Sequence, residues 1–298
     1  MLKKLSHNSF FLIIVTALLG GSNGVIIKIA LQEFSPFTFN FFRFLIATTI
    51  LLPLLIKRWE SIKRAGREVL VVSLFGVGNI VLFAFGVRLT TAISSQVLYA
   101  ASPLITAILS YFILKEMFTL KKVFGLFLGF IGVSVIIFLP AINSSNQMGG
   151  SFTGNILVFL AVMSFSLYTV LSKPYQKKFS PFTLTFGFML ITLVINAALT
   201  PLEFQTSLHS KAPSLIAISS LLFVGTLGTS GFYLLYQYLI RNTSPVNASV
   251  VLYLTPISAI FSAMILLGEK LTLGVIFGSL LTLAGVWIVD NERRNTTS

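Results

Sequence analysis

The sequence predicts an all-α polytopic membrane protein of ten transmembrane helices, built as two five-helix repeats of opposite orientation. Three observations carry that expectation. Of the 298 residues, 55% are hydrophobic and only 10% charged. A soluble chain carries about 25% charged residues, so too few are present here to cover a water-soluble surface. Ten apolar segments, at about 10–31, 37–56, 69–87, 91–114, 122–140, 153–173, 181–200, 214–239, 246–268 and 273–289, are near the roughly 20 residues that cross a bilayer as a helix. Finally, blocks of sequence recur. FSPFT at Phe34–Thr38 returns at Phe179–Thr183, 145 residues later, and SPLITAILSYFILKEMFTLKKVFGLFLGFIGV returns as TPISAIFSAMILLGEKLTLGVIFGSLLTLAGV at an offset of 153.

The repeats, 10–140 and 153–289, hold five segments each. Five is odd, so the second copy crosses the bilayer upside down, the arrangement of many alternating-access carriers. A β-barrel would need alternating strands of about ten residues, and VSLFGVGNIVLFAF does not alternate.

The first segment follows MLKKLSHNSFF, basic then apolar like a signal peptide. No clear cleavage signal comes after it, so an uncleaved helix is expected. It carries GGSNG, Gly20 to Gly24. Those glycines suit close helix approach or local unwinding, with Ser22 and Asn23 turned to a cavity. Lys28 lies near its outer end, within snorkelling reach of water. The second segment holds Arg43 about seven residues in, roughly 10 Å deep by helical rise. An intramembrane charge needs water or a partner. Arg43 therefore reads either as a holder of an anionic substrate group or as a donor to helix carbonyls near the 32–36 turn.

In the third segment Asn79 reads as helix glue or a substrate contact. The fourth, TTAISSQVLYAASP, supplies Ser94, Ser95, Gln96 and Tyr99, with Gln96 and Tyr99 the stronger cavity candidates; its Pro103 breaks a helical hydrogen bond and kinks the span. Glu116 before the fifth segment and Glu269 before the tenth sit in EMFT and EKLT. Both read first as turn and helix-cap chemistry, with proton coupling the alternative. In the second repeat Tyr168 takes the position of Asn23. Tyr233 and Gln237, four apart, share a face of the eighth segment, while Tyr238 suits an interfacial aromatic belt. Ser249 and Tyr253 in the ninth are weaker candidates. Pro256 repeats Pro103.

Charge sets the direction. With the N-terminus inside, sixteen of the 21 Lys and Arg fall in inner segments and four at outer ends, with Arg43 within a span. That asymmetry puts both termini in the cytoplasm. The net charge of +13 is thus topological rather than a nucleic-acid footprint.

Catalytic patterns are missing. There is no cysteine, and the two histidines, His7 and His209, form no cluster. Neither HExxH nor GxxxxGK[ST] occurs. No enzyme activity, cofactor or metal is expected, and uphill transport would draw on an ion gradient, exchange or membrane potential.

The strings GGSNGVIIKIALQEFSPFTFNFFRFLIA and ASPLITAILSYFILKEMFTLKKVFGLFLGFIGV, with the second-repeat ending quoted above, resemble the drug/metabolite transporter superfamily, specifically its EamA-domain permeases. The resemblance covers nearly the whole chain. It implies a secondary transporter of the cell inner membrane, moving amino acids, nucleoside-related compounds, other metabolites or drugs. It also implies mainly structural roles for Pro103, Glu116, Pro256 and Glu269. A Trp that often stands in the family's first span is replaced here by Gly20 or its neighbour. The resulting expectation is metabolite efflux by alternating access through a polar cavity lined by Asn23, Arg43, Gln96, Tyr99, Tyr233 and Gln237. Lipid surrounds it, and protons or a counter-substrate are possible partners. Uptake, exchange and a channel-like pore are the alternatives.

Overall fold

The computed structural model describes residues 7–56, 59–115, 119–142, 151–203, 212–242 and 251–296, together with Pro245 and Ala248. Among these the chain is helical throughout. α1 is His7–Ala30, α2 Pro36–Ile56, α3 Trp59–Leu89, α4 Ala92–Ala100, α5 Ser102–Leu114, α6 Leu120–Ile142, α7 Phe152–Tyr175, α8 Pro181–Leu199, α9 Leu215–Phe223, α10 Phe232–Asn242, α11 Val251–Leu267 and α12 Leu273–Thr296. Six stretches are long and apolar enough to cross a membrane; shorter apolar stretches lie in α1, α6, α11 and α12.

The repeated FSPFT phrase is a helix start. Ser35 precedes Pro36 at the head of α2 and bonds Thr38 through the two hydroxyls at 2.9 Å. Ser180 precedes Pro181 at the head of α8, bonds Thr183 at the same distance and accepts its amide. Proline suits the first helical position because the N–H it lacks would have no partner there.

Among the described residues two spans are broken. Ala101 interrupts the fourth between α4 and α5, with Pro103 in the first turn of α5. The eighth runs α9, then a π-helical stretch Val224–Gly231, then α10. The Thr229 hydroxyl donates to the Val224 carbonyl at 2.7 Å and Ser230 to Gly225 at 3.2 Å, each five residues back, which occupies acceptors of the widened turn. By contrast α1 stays helical through GGSNG, so no unwinding occurs there. Within α3, Gly66 at φ 22° and ψ −117° sets the kink that separates a lead-in turn from the span.

The packing inverts that of a soluble protein. Large apolar side chains cover the outside, among them Phe112, Phe127, Phe261 and Ile265, while Asn40, Asn79, Asn155, Gln237 and many hydroxyls are buried. Small residues bring backbones together, as membrane helices require. A Cβ on Gly132 of α6 would meet the Gly278 carbonyl of α12 at 2.5 Å, and one on Gly285 would meet the Gly125 carbonyl at 2.4 Å. Gly21 of α1 packs as closely on Thr255 and Ser258 of α11.

Polar contacts gather at the two ends of the bundle. At one end Lys178 pairs with Glu68 at 2.8 Å, and Lys173 donates to the Ile240 carbonyl. At the other Glu203 accepts from the Phe37 and Thr38 amides, and the Ser214 hydroxyl and amide donate to Glu33, holding its carboxyl below the usual value. The same end holds Lys28. It does not simply snorkel: its ammonium bonds Glu269 at 2.8 Å and the Thr90 carbonyl at 2.7 Å. Glu269 also accepts from the amides of Ala92 and Ile93. It is a cap, as EKLT suggests, but of α4 rather than of the helix that follows it. Thr272 serves α12, accepting from the Val275 amide. Glu116 and Ser249 lie outside the described residues, as does the Tyr253 side chain.

Candidate functional site

A cavity of about 60 Å³ lies between helices of both sequence repeats. Its floor and walls come from α1 through Gly20, Asn23 and Gly24, from α2 through Arg43, and from α3 and α4 through Asn79, Gln96 and Tyr99. The second repeat adds Phe165, Phe232, Tyr233, Leu252 and Thr255. Each helix contributes one or two turns, and small residues let them converge. A Cβ on Gly24 would fall 2.0 Å from Nε2 of Gln96, and one on Gly228 the same distance from Oδ1 of Asn23. Larger residues at either glycine would drive these amides out of place.

Among the described residues, Arg43 is the only charged group in the lining, and it is 3% exposed. Its Nε donates to Thr229 Oγ1 at 2.7 Å, and its guanidinium carbon stands 5.2 Å from the Phe44 ring centroid. The bond runs to the π-helical stretch, not to the carbonyls of the 32–36 turn. No carboxylate of a described residue lies within ion-pair distance of it. Asn23 fixes its orientation by donating to the Gly228 carbonyl at 3.1 Å. Asn79 donates to the Tyr99 hydroxyl and, at 2.9 Å, to the Ala161 carbonyl. It therefore bridges three helices while facing the cavity. The Tyr99 ring stands edge-on to Phe83 at 5.3 Å, and Tyr233 packs on Phe188 and Phe232 at 4.8 and 5.4 Å.

Five of the six residues expected from sequence thus converge: Asn23, Arg43, Gln96, Tyr99 and Tyr233. Gln237 does not join them. One turn beyond Tyr233, its amide donates to the Tyr168 hydroxyl at 2.7 Å and to Ser172 at 3.1 Å, and its oxygen accepts from Gln176. It closes a polar knot between α7 and α10. Tyr168, the counterpart of Asn23 in the second repeat, belongs to that knot too, so the cavity is lined unequally by the repeats. Sequence reasoning missed Thr229 as the partner of Arg43. Its trace was the small, polar run GTLGTSG inside an otherwise apolar span.

The site offers one cation, several neutral hydrogen-bonding groups and aromatic walls. Its described residues include no nucleophile paired with a base. Among the described residues, no three His, Cys, Asp or Glu stand close enough to hold a metal.

The profile of the EamA-like transporter family matches residues 8–138 and again residues 152–289. A transporter of Archaeoglobus fulgidus is 29% identical over 273 residues, covering 90% of this chain and 93% of its own. One from Clostridium kluyveri is 28% identical over 291 residues, with 93% and 91% covered. The Bacillus subtilis transporter YoaV is 24% identical over 280 residues, with 93% and 94% covered. A solved crystal structure superimposes with a TM-score of 0.69 at 17% identity over 98% of this chain and all of that one, a likeness of fold.

Proposed function

Because the chain belongs to the EamA-like transporter family, a family of transporters rather than enzymes, we propose that it is a secondary carrier working by alternating access. In this reading it exports small metabolites, amino acids or related compounds, across the cell inner membrane. The observation that carries the proposal is the cavity: it lies inside the bundle, draws its lining from both repeats and holds a buried cation among neutral hydrogen-bonding groups. Asn23, Arg43, Gln96, Tyr99 and Tyr233 contact the substrate, and Gln237 supports them from the neighbouring turn.

An inverted pairing of the two repeats is part of the same reading. Its support is a reciprocal contact. At the 153-residue offset Gly125 corresponds to Gly278 and Gly132 to Gly285. Gly132 packs on Gly278 while Gly285 packs on Gly125, so each contact is the image of the other under a two-fold axis. One repeat can then open where the other closes. Room for on the order of four waters fits in about 60 Å³. That is too little for a metabolite, so loading requires the helices to part.

Both termini are assigned to the cytoplasm from the Lys and Arg distribution. Counterflow in proteoliposomes tests the carrier reading. Vesicles containing the purified chain and preloaded with unlabelled metabolites should take up the matching labelled compound transiently above equilibrium, with saturation. A channel gives neither behaviour, and passive equilibration at a rate linear in concentration would overturn the proposal.

A further inference from the structure

We infer that Arg43 recognises the carboxylate of an organic anion, and that the charge it leaves uncovered in the empty cavity makes the protein an exchanger. This rests on the carrier reading above and adds to it a substrate class and a coupling rule.

A guanidinium has five N–H donors in a fixed fork. Thr229 takes the one on Nε, which orients the plane and leaves the four on the terminal nitrogens without a partner among the described residues. They belong to a side chain that is 3% exposed and lines the cavity. Donors met only by the few waters the cavity can hold are poorly satisfied, and a charge there without a counter-charge is costly. The ligand that removes both costs presents two parallel oxygens and one negative charge, which describes a carboxylate. A phosphate dianion fits less well, because the described lining residues supply no second cation. A cationic ligand meets no carboxylate among them. Beside the fork, Phe83, Phe165, Phe232, Ile27 and Leu252 provide an apolar wall. The favoured ligand is therefore a monocarboxylate, with or without an α-amino group, carrying an apolar body.

Coupling follows from charge. Loaded, the site is neutral; empty, it carries +1 with no counter-charge among the described residues. Each transport cycle includes a return of the binding site to its first face. Returning empty takes the bare guanidinium through the closed state, whereas returning with a second carboxylate does not. Exchange should outrun net export.

The test uses the full chain in proteoliposomes filled with a ¹⁴C-labelled metabolite extract of glucose-grown bacteria. Release is followed with plain buffer or with unlabelled extract outside, and the released compounds are identified by mass spectrometry. They should be carboxylates, and external extract should accelerate their release on the order of tenfold or more. Arg43→Gln should slow it roughly ten- to a hundredfold. Thr229→Val, which keeps the charge and frees Nε, should slow it less. Released compounds lacking a carboxylate would overturn the inference, as would release indifferent to external extract. So would wild-type rates in an Arg43→Gln protein that elutes as a folded species on gel filtration. If Arg43→Gln fails to fold, the identity of the compounds released by the wild type still decides. Absence of any release from the wild type would instead overturn the carrier reading, and this inference with it.

Discussion

Gln237 and Arg43 both stood out as polar groups inside apolar helices, yet their hydrogen bonds end in opposite places. Gln237 gives and receives its bonds within a closed knot of Tyr168, Ser172 and Gln176. Arg43 spends one donor on Thr229 and keeps the rest for the cavity. A sequence exposes that a span contains an amide or a guanidinium, because such groups are expensive in hydrocarbon. It does not expose whether a neighbouring helix brings an acceptor to meet it, since that depends on which faces touch. The i, i+4 spacing of Tyr233 and Gln237 correctly gave one shared face, but the cavity spans only a single turn of it. Replacing Gln237 with Ala takes the side-chain partner from the Tyr168 hydroxyl and leaves the Gln176 amide only the residue-237 carbonyl at 3.4 Å, which should cost about 1–3 kcal/mol of stability. Thermal unfolding in detergent reads that loss. Because Gln237 is outside the cavity, the apparent KM for exchange should change by less than about twofold. A large KM change at undiminished stability would return Gln237 to the substrate contacts.

The helix termini show the same division between what spacing encodes and what packing decides. Ser-Pro at the heads of α2 and α8 stood out in the sequence only as a repeat, although its hydroxyl and proline act within one turn. EKLT announced cap chemistry, but two helix starts compete for its acceptors. Thr272 serves its own helix and Glu269 the start of α4 in the other repeat, where it also holds Lys28. Short-range spacing names the cap residue and not the owner of the amides. The consequence is an energetic link between the repeats that rests on two partly buried charges, with side chains 20% and 10% exposed. Glu269→Gln leaves the Lys28 ammonium the Thr90 carbonyl but no counter-charge and should destabilise by about 1–3 kcal/mol, less than for a fully buried pair because water still reaches both groups. Adding Lys28→Met should recover part of that loss, so a double-mutant cycle by thermal unfolding should give non-additivity of at least about 0.5 kcal/mol. Strict additivity would mean that Glu269 acts on the α4 amides alone.

Most of the architecture was legible because a bilayer imposes it. Hydrocarbon thickness sets segment length, backbone satisfaction demands helices, and the repeated blocks divide the chain in two. The breaks in the fourth and eighth spans were harder to anticipate. Pro103 marked the first, while the second depends on hydroxyls of Thr229 and Ser230 reaching carbonyls five residues back, a pattern with no proline to announce it. Orientation in the membrane is a separate matter, and it reduces to sidedness. The Lys178–Glu68 pair ties the start of α3 and the α7–α8 turn to one end of the bundle, while Lys28, Thr90 and Glu269 share the other. In the proposed topology, the excess of Lys and Arg in the segments of the first end places that end in the cytoplasm. The chain has no native cysteine, so single substitutions report cleanly. In intact cells a membrane-impermeant maleimide should label Lys270→Cys and spare both Arg67→Cys and Lys178→Cys. In inside-out vesicles the pattern should reverse. Labelling of Arg67→Cys and Lys178→Cys from outside, with Lys270→Cys spared, would turn the molecule over but keep its repeats inverted. If Arg67→Cys and Lys178→Cys instead reacted from opposite sides, the second repeat would cross in the same sense as the first. The reciprocal glycine contact would then lose its symmetry, and one cavity could not be presented to each face in turn.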